Sequence, residues 1–181
     1  KHIETFFSLG MITNPVDIFT LEHRDRESSQ SLSTWEGWGQ KSADNLFRAI
    51  RQKREISLDR FIYALGIHQI GQTTSKLLAR RYGSYEVWTH SMKEASAGNS
   101  TFLEELINID GIGPGMAEDL LYFFKETHNL DFLARLVGPH IKVSDFKTSV
   151  DSSSPVAGKT VVFTGSLTRF TRAEAKAKAE I

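Results

Sequence analysis

Residues 106–120 read LINIDGIGPGMAEDL, and the spacing inside this stretch decides how the chain folds. An apolar approach (Leu106, Ile109) leads to two glycines around an isoleucine, Gly111, Ile112 and Gly113. A small residue, Ala117, follows four positions later, and Leu120 continues a helical period. Residues 32–46, LSTWEGWGQKSADNL, repeat the pattern through Leu32, Trp35, Gly37, Trp38, Gly39, Ala43 and Leu46. A weaker copy runs Gly66, Ile67, Ile70, Gly71, Ser75 and Leu78, with Gln69 where the other copies have their first glycine. Glycine accepts positive φ, so each hairpin can turn tightly and aim its backbone N–H groups outward. The helix that follows adds unpaired N-terminal donors and a positive dipole end, which together suit a phosphate. A Cβ at Gly39 or Gly113 is expected to block the hairpin conformation.

This is the helix-hairpin-helix pattern. One glycine-isoleucine-glycine run means little, but two close copies and a degenerate third, at helix-length separations, are hard to obtain by chance. The competing reading is that the hairpins only pack helices, as in a sterile-α-motif-like scaffold. Trp35 fills the apolar slot before the first glycine and is expected in the core. Trp38 is expected at the hairpin tip, facing nucleic acid.

The 181 residues hold 22 basic and 22 acidic side chains, so no bulk charge draws the chain to nucleic acid. That argues against a basic-tail mode of binding, not against one using backbone amides. Basic residues still cluster, at Arg48, Arg51, Lys53, Arg54 and Arg60, and again at Arg80 and Arg81. The bland reading of each is a solvated helix face. No cysteine is present, which excludes a disulfide framework, a thiol nucleophile and a Cys-based zinc site. With no bilayer-length apolar run and no secretion signal, a soluble cytoplasmic protein without membrane contact is expected.

Helical periods cover Ile3 to Leu9, stopped by Gly10, and start again at Asn14-Pro15 with Asn as cap and Pro at the first helical position. Glu22 to Ser31 reads as polar and turn-like. Ser57 is expected to cap a helix through Leu58, Phe61, Ile62 and Leu65, and Thr73 to Tyr82 forms another, stopped by Gly83. A looser segment follows, with Val87, Trp88 and Met92 as core. Thr101 with Glu104 fits a capping box, and Asn129 and Gly138-Pro139 bracket a short closing helix. The expected class is mainly all-α: a tandem helix-hairpin-helix domain over residues 1–142 and a Ser-rich linker over 143–154. Residues 155–181 begin an α/β segment, with KTVVF at 159–163 as its strand.

Several chemistries can be set aside. Ala157-Gly158-Lys159-Thr160 imitates the end of a P-loop, but Ser153 stands where the first glycine belongs, and the strand follows instead of preceding. The six histidines lack metal-ligand spacing; His68 stands out only because it lies in a hairpin and could meet a phosphate or sugar. A base-excision glycosylase would need a hairpin lysine where Gly115 sits, and Asp131 is not in that family's catalytic setting.

In order, these features resemble the C-terminal half of the bacterial NAD-dependent DNA ligases, where a four-motif helix-hairpin-helix domain precedes a BRCT domain. KHIETFFSLGMITNPVDIFTLE resembles the end of motif one and its connection onward. WEGWGQKSADN resembles motif two, RFIYALGIHQIGQTTSKLLARRYGS motif three, and LINIDGIGPGMAEDLLYFF motif four. SPVAGKTVVFTGSLTRFTRAEAKAKAE resembles the opening of BRCT. Motif one's hairpin, the family's adenylation domain with its nucleophilic lysine, its oligonucleotide-binding fold and its four-cysteine zinc finger have no counterpart here. In place of the lysine motif there is only Asn108-Ile109-Asp110-Gly111.

The resemblance implies a fragment with no catalytic residue and no cofactor of its own. NAD, a divalent metal (Mg) and zinc belong to the other domains. The implied partners are nicked double-stranded DNA and the remaining ligase domains, in a nucleoid-associated setting of replication and repair. The amides of Gly37 to Gly39, Gln69 to Gly71 and Gly111 to Gly115 are expected to hold phosphates. Trp38, Lys41, Arg48, Arg51, His68, Thr73 and Ile112 add contacts, and Thr164 and Gly165 are candidates in the BRCT turn. The alternatives are a DNA-binding module of another repair enzyme, such as a polymerase or excision nuclease subunit, and a helical protein-interaction scaffold.

Overall fold

The computed structural model describes residues 2–147. The expected strand, BRCT segment, Thr164 and Gly165 lie outside them. The described part is mainly helical, as the hairpin pattern requires, with one small sheet. Helix α1 (His2–Ser8) ends at Gly10, where φ is 70°. Asn14 starts α2 (Val16–Glu27): its Oδ1 accepts from the Val16 N–H at 3.0 Å, and Pro15 is already helical. Asp17 closes this cap from inside, accepting the Thr13 and Asn14 N–H groups at 2.7 and 3.2 Å. Those backbone bonds, Thr13's foremost, hold its carboxyl below the usual carboxylate range.

Helix α2 runs through most of the stretch that reads as turn-like. Its extra turn carries Glu22–Arg26 and His23–Glu27 pairs at i, i+4. Asp25 faces inward and accepts the Leu32 N–H at 2.6 Å, anchoring the 3₁₀ turn Leu32–Thr34. After hairpin two come α3 (Gln40–Gln52), strand β1 (Glu55–Ser57) and α4 (Leu58–Ala64). Hairpin three leads to α5 (Gln72–Tyr82), followed by α6 (Tyr85–Ser96) and α7 (Ser100–Ile107). Hairpin four leads to α8 (Pro114–Lys125), then α9 (Thr127–Leu136) and β2 (Lys142–Ser144).

The looser segment after Gly83 is the full helix α6. Ser84 caps it, its Oγ accepting from Val87 N–H, and its buried Trp88 meets Phe124 edge-on at 5.1 Å. Helix α7 is capped by Asn99, which accepts from Thr101 N–H, so Thr101 is capped and does not act as the cap. Asn129 does not open α9; its side chain donates to Phe123 O and ties α8 to α9. The short β1–β2 pair is parallel, with Ile56 opposite Val143. Phe146 N–H donates to Gly83 O at 2.8 Å. Residues 143–146, which read as linker by composition, are therefore part of the helical unit.

Two apolar clusters form the interior. Phe6, Ile12, Leu21, Leu32, Ala43, Phe47 and Ile50 make the first, around hairpin two. The second gathers α4 to α9, with Leu58, Ile62, Leu78, Trp88, Met92, Leu106 and Leu120 among its buried residues. Phe19 packs against both. Arg54 fastens the junction: it donates to Phe19 O at 2.7 Å and to His140 O at 3.2 Å, with its guanidinium 5.8 Å from the Phe19 ring.

Candidate nucleic-acid interface

The three hairpins share one backbone geometry. Trp38, Ile70 and Ile112 donate their N–H groups to Trp35, Ile67 and Ile109 O at 3.0, 3.0 and 2.9 Å. The third residue of each turn is left-handed: Gly37 at φ 78°, Gln69 at 60° and Gly111 at 94°. This is the arrangement of a type II turn, which favours glycine at that position. Gln69 is the non-glycine residue with positive φ among those described. The degenerate copy thus keeps the turn without its glycine.

The second glycine of each copy does a different job. Gly39, Gly71 and Gly113 cap α3, α5 and α8 at φ −146°, −82° and −83°, conformations open to any residue. A Cβ there would meet nothing within 4 Å. The expectation that a side chain at Gly39 or Gly113 blocks the hairpin conformation is therefore overturned. Positive φ belongs to the first glycine only. What the second glycine leaves is an uncapped helix start: none of these three caps offers a side-chain acceptor. Ser84 and Asn99, which start α6 and α7, both do; Ser57, expected to cap α4, makes no cap bond, and neither does Glu126 at the start of α9. The carbonyls of Gly39, Gly71 and Gly113 receive the N–H of the small residue four on, Ala43, Ser75 or Ala117, at 3.1, 2.9 and 3.1 Å. Ala43, Ser75 and Ala117 are buried, which explains why they are small. Ahead of them, Ser42 N–H also turns back onto Gly39 O at 3.0 Å and Pro114 has no N–H, which leaves the other first-turn N–H groups without an intrahelical carbonyl to reach.

Hairpins three and four pack against each other. Residues separated by 42 in the numbering exchange places across the contact. Gln69 meets Asp119, and at the corresponding point Gly111 meets Leu77, whose Cδ1 would be 3.0 Å from a Cβ on that glycine. Thr74 meets Met116, its own counterpart, at 3.9 Å. Such reciprocity is the signature of a two-fold relation, here between two motifs of one chain. It brings Thr74 of α5 against Met116 of α8.

The side chains around the hairpins are not equivalent. Lys41 and Arg48 on α3, and Thr73 and Lys76 on α5, are exposed at helical spacing along the faces that begin at the open amides. The matching positions of α8 carry Gly115 and Glu118. Lys76 shows no motif in the sequence and comes to notice only through this equivalence. His68 is 84% exposed at the turn of hairpin three. Arg51 is paired with Glu22, and Arg54 serves the junction between the clusters. Gly115 makes room for Gln69, whose Nε2 would lie 3.3 Å from a Cβ placed there.

Of two expected contacts, one is narrowed and one is corrected. Trp38 packs its ring against His2 and Phe6, with centroids 5.0 and 5.6 Å away. It takes the slot that Ile70 and Ile112 fill in the other hairpins, but where those are buried Trp38 stays half-buried and lines a surface groove with His2, Ser42 and Leu46. Ile112 is buried, and its N–H is spent on Ile109 O. Neither its side chain nor its amide can meet a ligand. Among the described residues no cluster of three or more His, Asp or Glu could hold a metal ion, and no helix is long and apolar enough to cross a membrane.

Comparison with known proteins agrees with this geometry. Residues 60–133, spanning hairpins three and four, match the helix-hairpin-helix motif family. The chain is 51% identical over 182 residues to a DNA ligase of Rhodospirillum rubrum, covering 99% of this chain and 26% of that protein. It is 50% identical to a DNA ligase of Acidiphilium cryptum and 47% identical to one of Parvibaculum lavamentivorans, in each case over 99% of this chain and 25% of the relative. The chain thus spans about a quarter of the length of the curated relatives it matches. The resemblance read from the sequence holds: along 99% of its length this chain is similar to a quarter-length portion of proteins named DNA ligase, and residues 60–133 carry a helix-hairpin-helix motif.

Proposed function

We propose that this chain is the DNA-gripping part of an NAD-dependent DNA ligase, binding duplex DNA without sequence preference through the uncapped helix starts of its hairpins. One observation carries the reading. The three helices that follow hairpins each begin on an uncapped glycine two residues after a left-handed turn residue, whereas the other uncapped starts, α4 on Ser57 and α9 on Glu126, have no such turn before them. Open N–H groups at a positive dipole end suit phosphate oxygens. Phosphate contacts position a protein without reading bases, which suits an enzyme that must act at any sequence. Lys41, Arg48, His68, Thr73 and Lys76 add charge or hydrogen bonds from the side, mostly at hairpins two and three. The adenylation and nick sealing, with NAD and magnesium, and the zinc site fall in this reading to the three quarters of such proteins that the chain does not match. A nucleoid-associated cytoplasmic place follows from the same reading.

The test is equilibrium binding of the 181-residue chain to nicked and intact duplexes of unrelated sequence over a range of salt. The expected result is equal affinity across sequences, falling linearly in log salt. Lys41→Ala should weaken binding equally for every sequence and lower the salt slope by about one. A sequence-dependent loss would remove Lys41 from the phosphate set. No binding by the folded chain at low salt would favour the protein-interaction scaffold.

A further inference from the structure

The carboxylate of Asp119 sits on α8 yet serves the neighbouring hairpin. Gln69 Nε2 donates to its Oδ2 at 2.7 Å, and His68 Nδ1 lies 3.0 Å from the same oxygen. Both bonds, Gln69's foremost, hold the Asp119 carboxyl below the usual range, so it stays ionised at neutral pH. The contact has a counterpart across the two-fold relation. There Gly111, which adopts positive φ without cost, meets only the apolar Leu77. On the other side a glutamine is held left-handed at φ 60°, a region that disfavours a residue with a Cβ, and a carboxylate replaces the leucine. Gly115 clears space for the glutamine side chain to reach it. The two substitutions compensate each other.

We infer that Asp119 is a positioning residue: from α8 it fixes the left-handed Gln69 and orients His68, so that hairpin three keeps, without a glycine, the turn that leads into the uncapped start of α5. The inference rests on the DNA-binding reading for its consequence, but the positioning itself is measurable in the free protein. A carboxylate beside a phosphate site would ordinarily be expected only to repel the ligand, so the two roles predict opposite signs.

The experiment compares the 181-residue chain with Asp119→Ala, Asp119→Asn, Gln69→Gly and the double variant Gln69→Gly/Asp119→Ala. It reads hydrogen exchange of the Ile70 amide, which closes the turn on Ile67 O at 3.0 Å, and affinity for a duplex. Asp119→Ala should speed Ile70 exchange and weaken binding, each roughly five- to tenfold. Asp119→Asn, which keeps an acceptor for Gln69, should lie near the parent. Gln69→Gly/Asp119→Ala should regain parental values, because glycine needs no support there. Unchanged Ile70 exchange in Asp119→Ala overturns the inference. So does a double variant as defective as Asp119→Ala, or tighter binding by Asp119→Ala. If the parent itself binds no duplex, the DNA reading fails, while the Ile70 exchange still decides whether Asp119 positions the turn.

Discussion

Replacing Gly39, Gly71 or Gly113 by serine should make the protein more stable and a poorer DNA binder at once. Each glycine already has the extended conformation of an N-cap: Gly113 lies at φ −83°, ψ 166°, close to the capping Ser84 at φ −123°, ψ 161°. Space for a Cβ is open at all three. The new Oγ can accept from the first-turn amides as Ser84 Oγ accepts from Val87 N–H at 3.2 Å. Restricting the unfolded chain adds about 0.4–1 kcal/mol, and the cap itself a few tenths. Each variant should therefore gain about 0.5–1 kcal/mol, or roughly 1–4 °C in Tm for a protein of this size. The same Oγ competes with phosphate for those amides. A hydrogen bond to a charged acceptor contributes about 1.5–3 kcal/mol. Losing part of it should raise the duplex Kd by roughly 5- to 30-fold. Differential scanning calorimetry and fluorescence anisotropy on a labelled duplex give the two numbers. Gly111→Ala is the control of opposite character. At φ 94°, with Leu77 Cδ1 3.0 Å from the new Cβ, it should cost about 1–2 kcal/mol of stability. Serine variants that gain stability and bind DNA as tightly as the parent would refute the reasoning.

Three further outcomes follow from packing and capping. Ser75 is fully buried and its Oγ has no hydrogen-bond partner among the described residues, while the other copies carry Ala43 and Ala117 at that position. Ser75→Ala should stabilise by about 1 kcal/mol in urea unfolding. Arg54→Ala should cost about 2 kcal/mol, and Arg54→Lys should not restore it, because one ammonium cannot reach Phe19 O and His140 O while stacking on Phe19. The Asp17 carboxyl, depressed by the Thr13 and Asn14 N–H groups, stabilises the fold above the ordinary carboxylate pKa of about 3.9 and loses that contribution as pH falls through its lower folded value. The gap between parent and Asp17→Ala, about 1 kcal/mol at pH 7, should therefore close below about pH 4 in denaturant titrations.

Much of this fold is legible in sequence because its signals are local. The glycine of a left-handed turn, the small residue four positions after a helix cap and the Asn-Pro start of α2 all act within a few residues of themselves. What escapes is set by partners distant in the chain. Glu22 to Glu27 reads as a turn until Asp25 is seen holding Leu32. The β1–β2 pair joins segments that a composition window treats separately, and three-residue strands carry no period. Trp38 reads as a free tip residue because α1, whose His2 and Phe6 pack against its ring, comes from another motif. The two glycines of each hairpin look alike in sequence, and only their φ values divide them into one that shapes the turn and one that leaves donors open. Asp119 has no motif at all; its meaning comes from Gln69, 50 positions earlier.

The most direct test of the central claim is amide chemical-shift mapping of the chain during titration with a short duplex of arbitrary sequence. The account predicts that the largest early shifts fall on Gly39 to Lys41, on Gln72 and Thr73, and on Gly113 and Gly115, and that they recur with a second, unrelated duplex. Shifts centred on the exposed faces around Arg60 or Tyr122, with the hairpin amides unmoved, would contradict it.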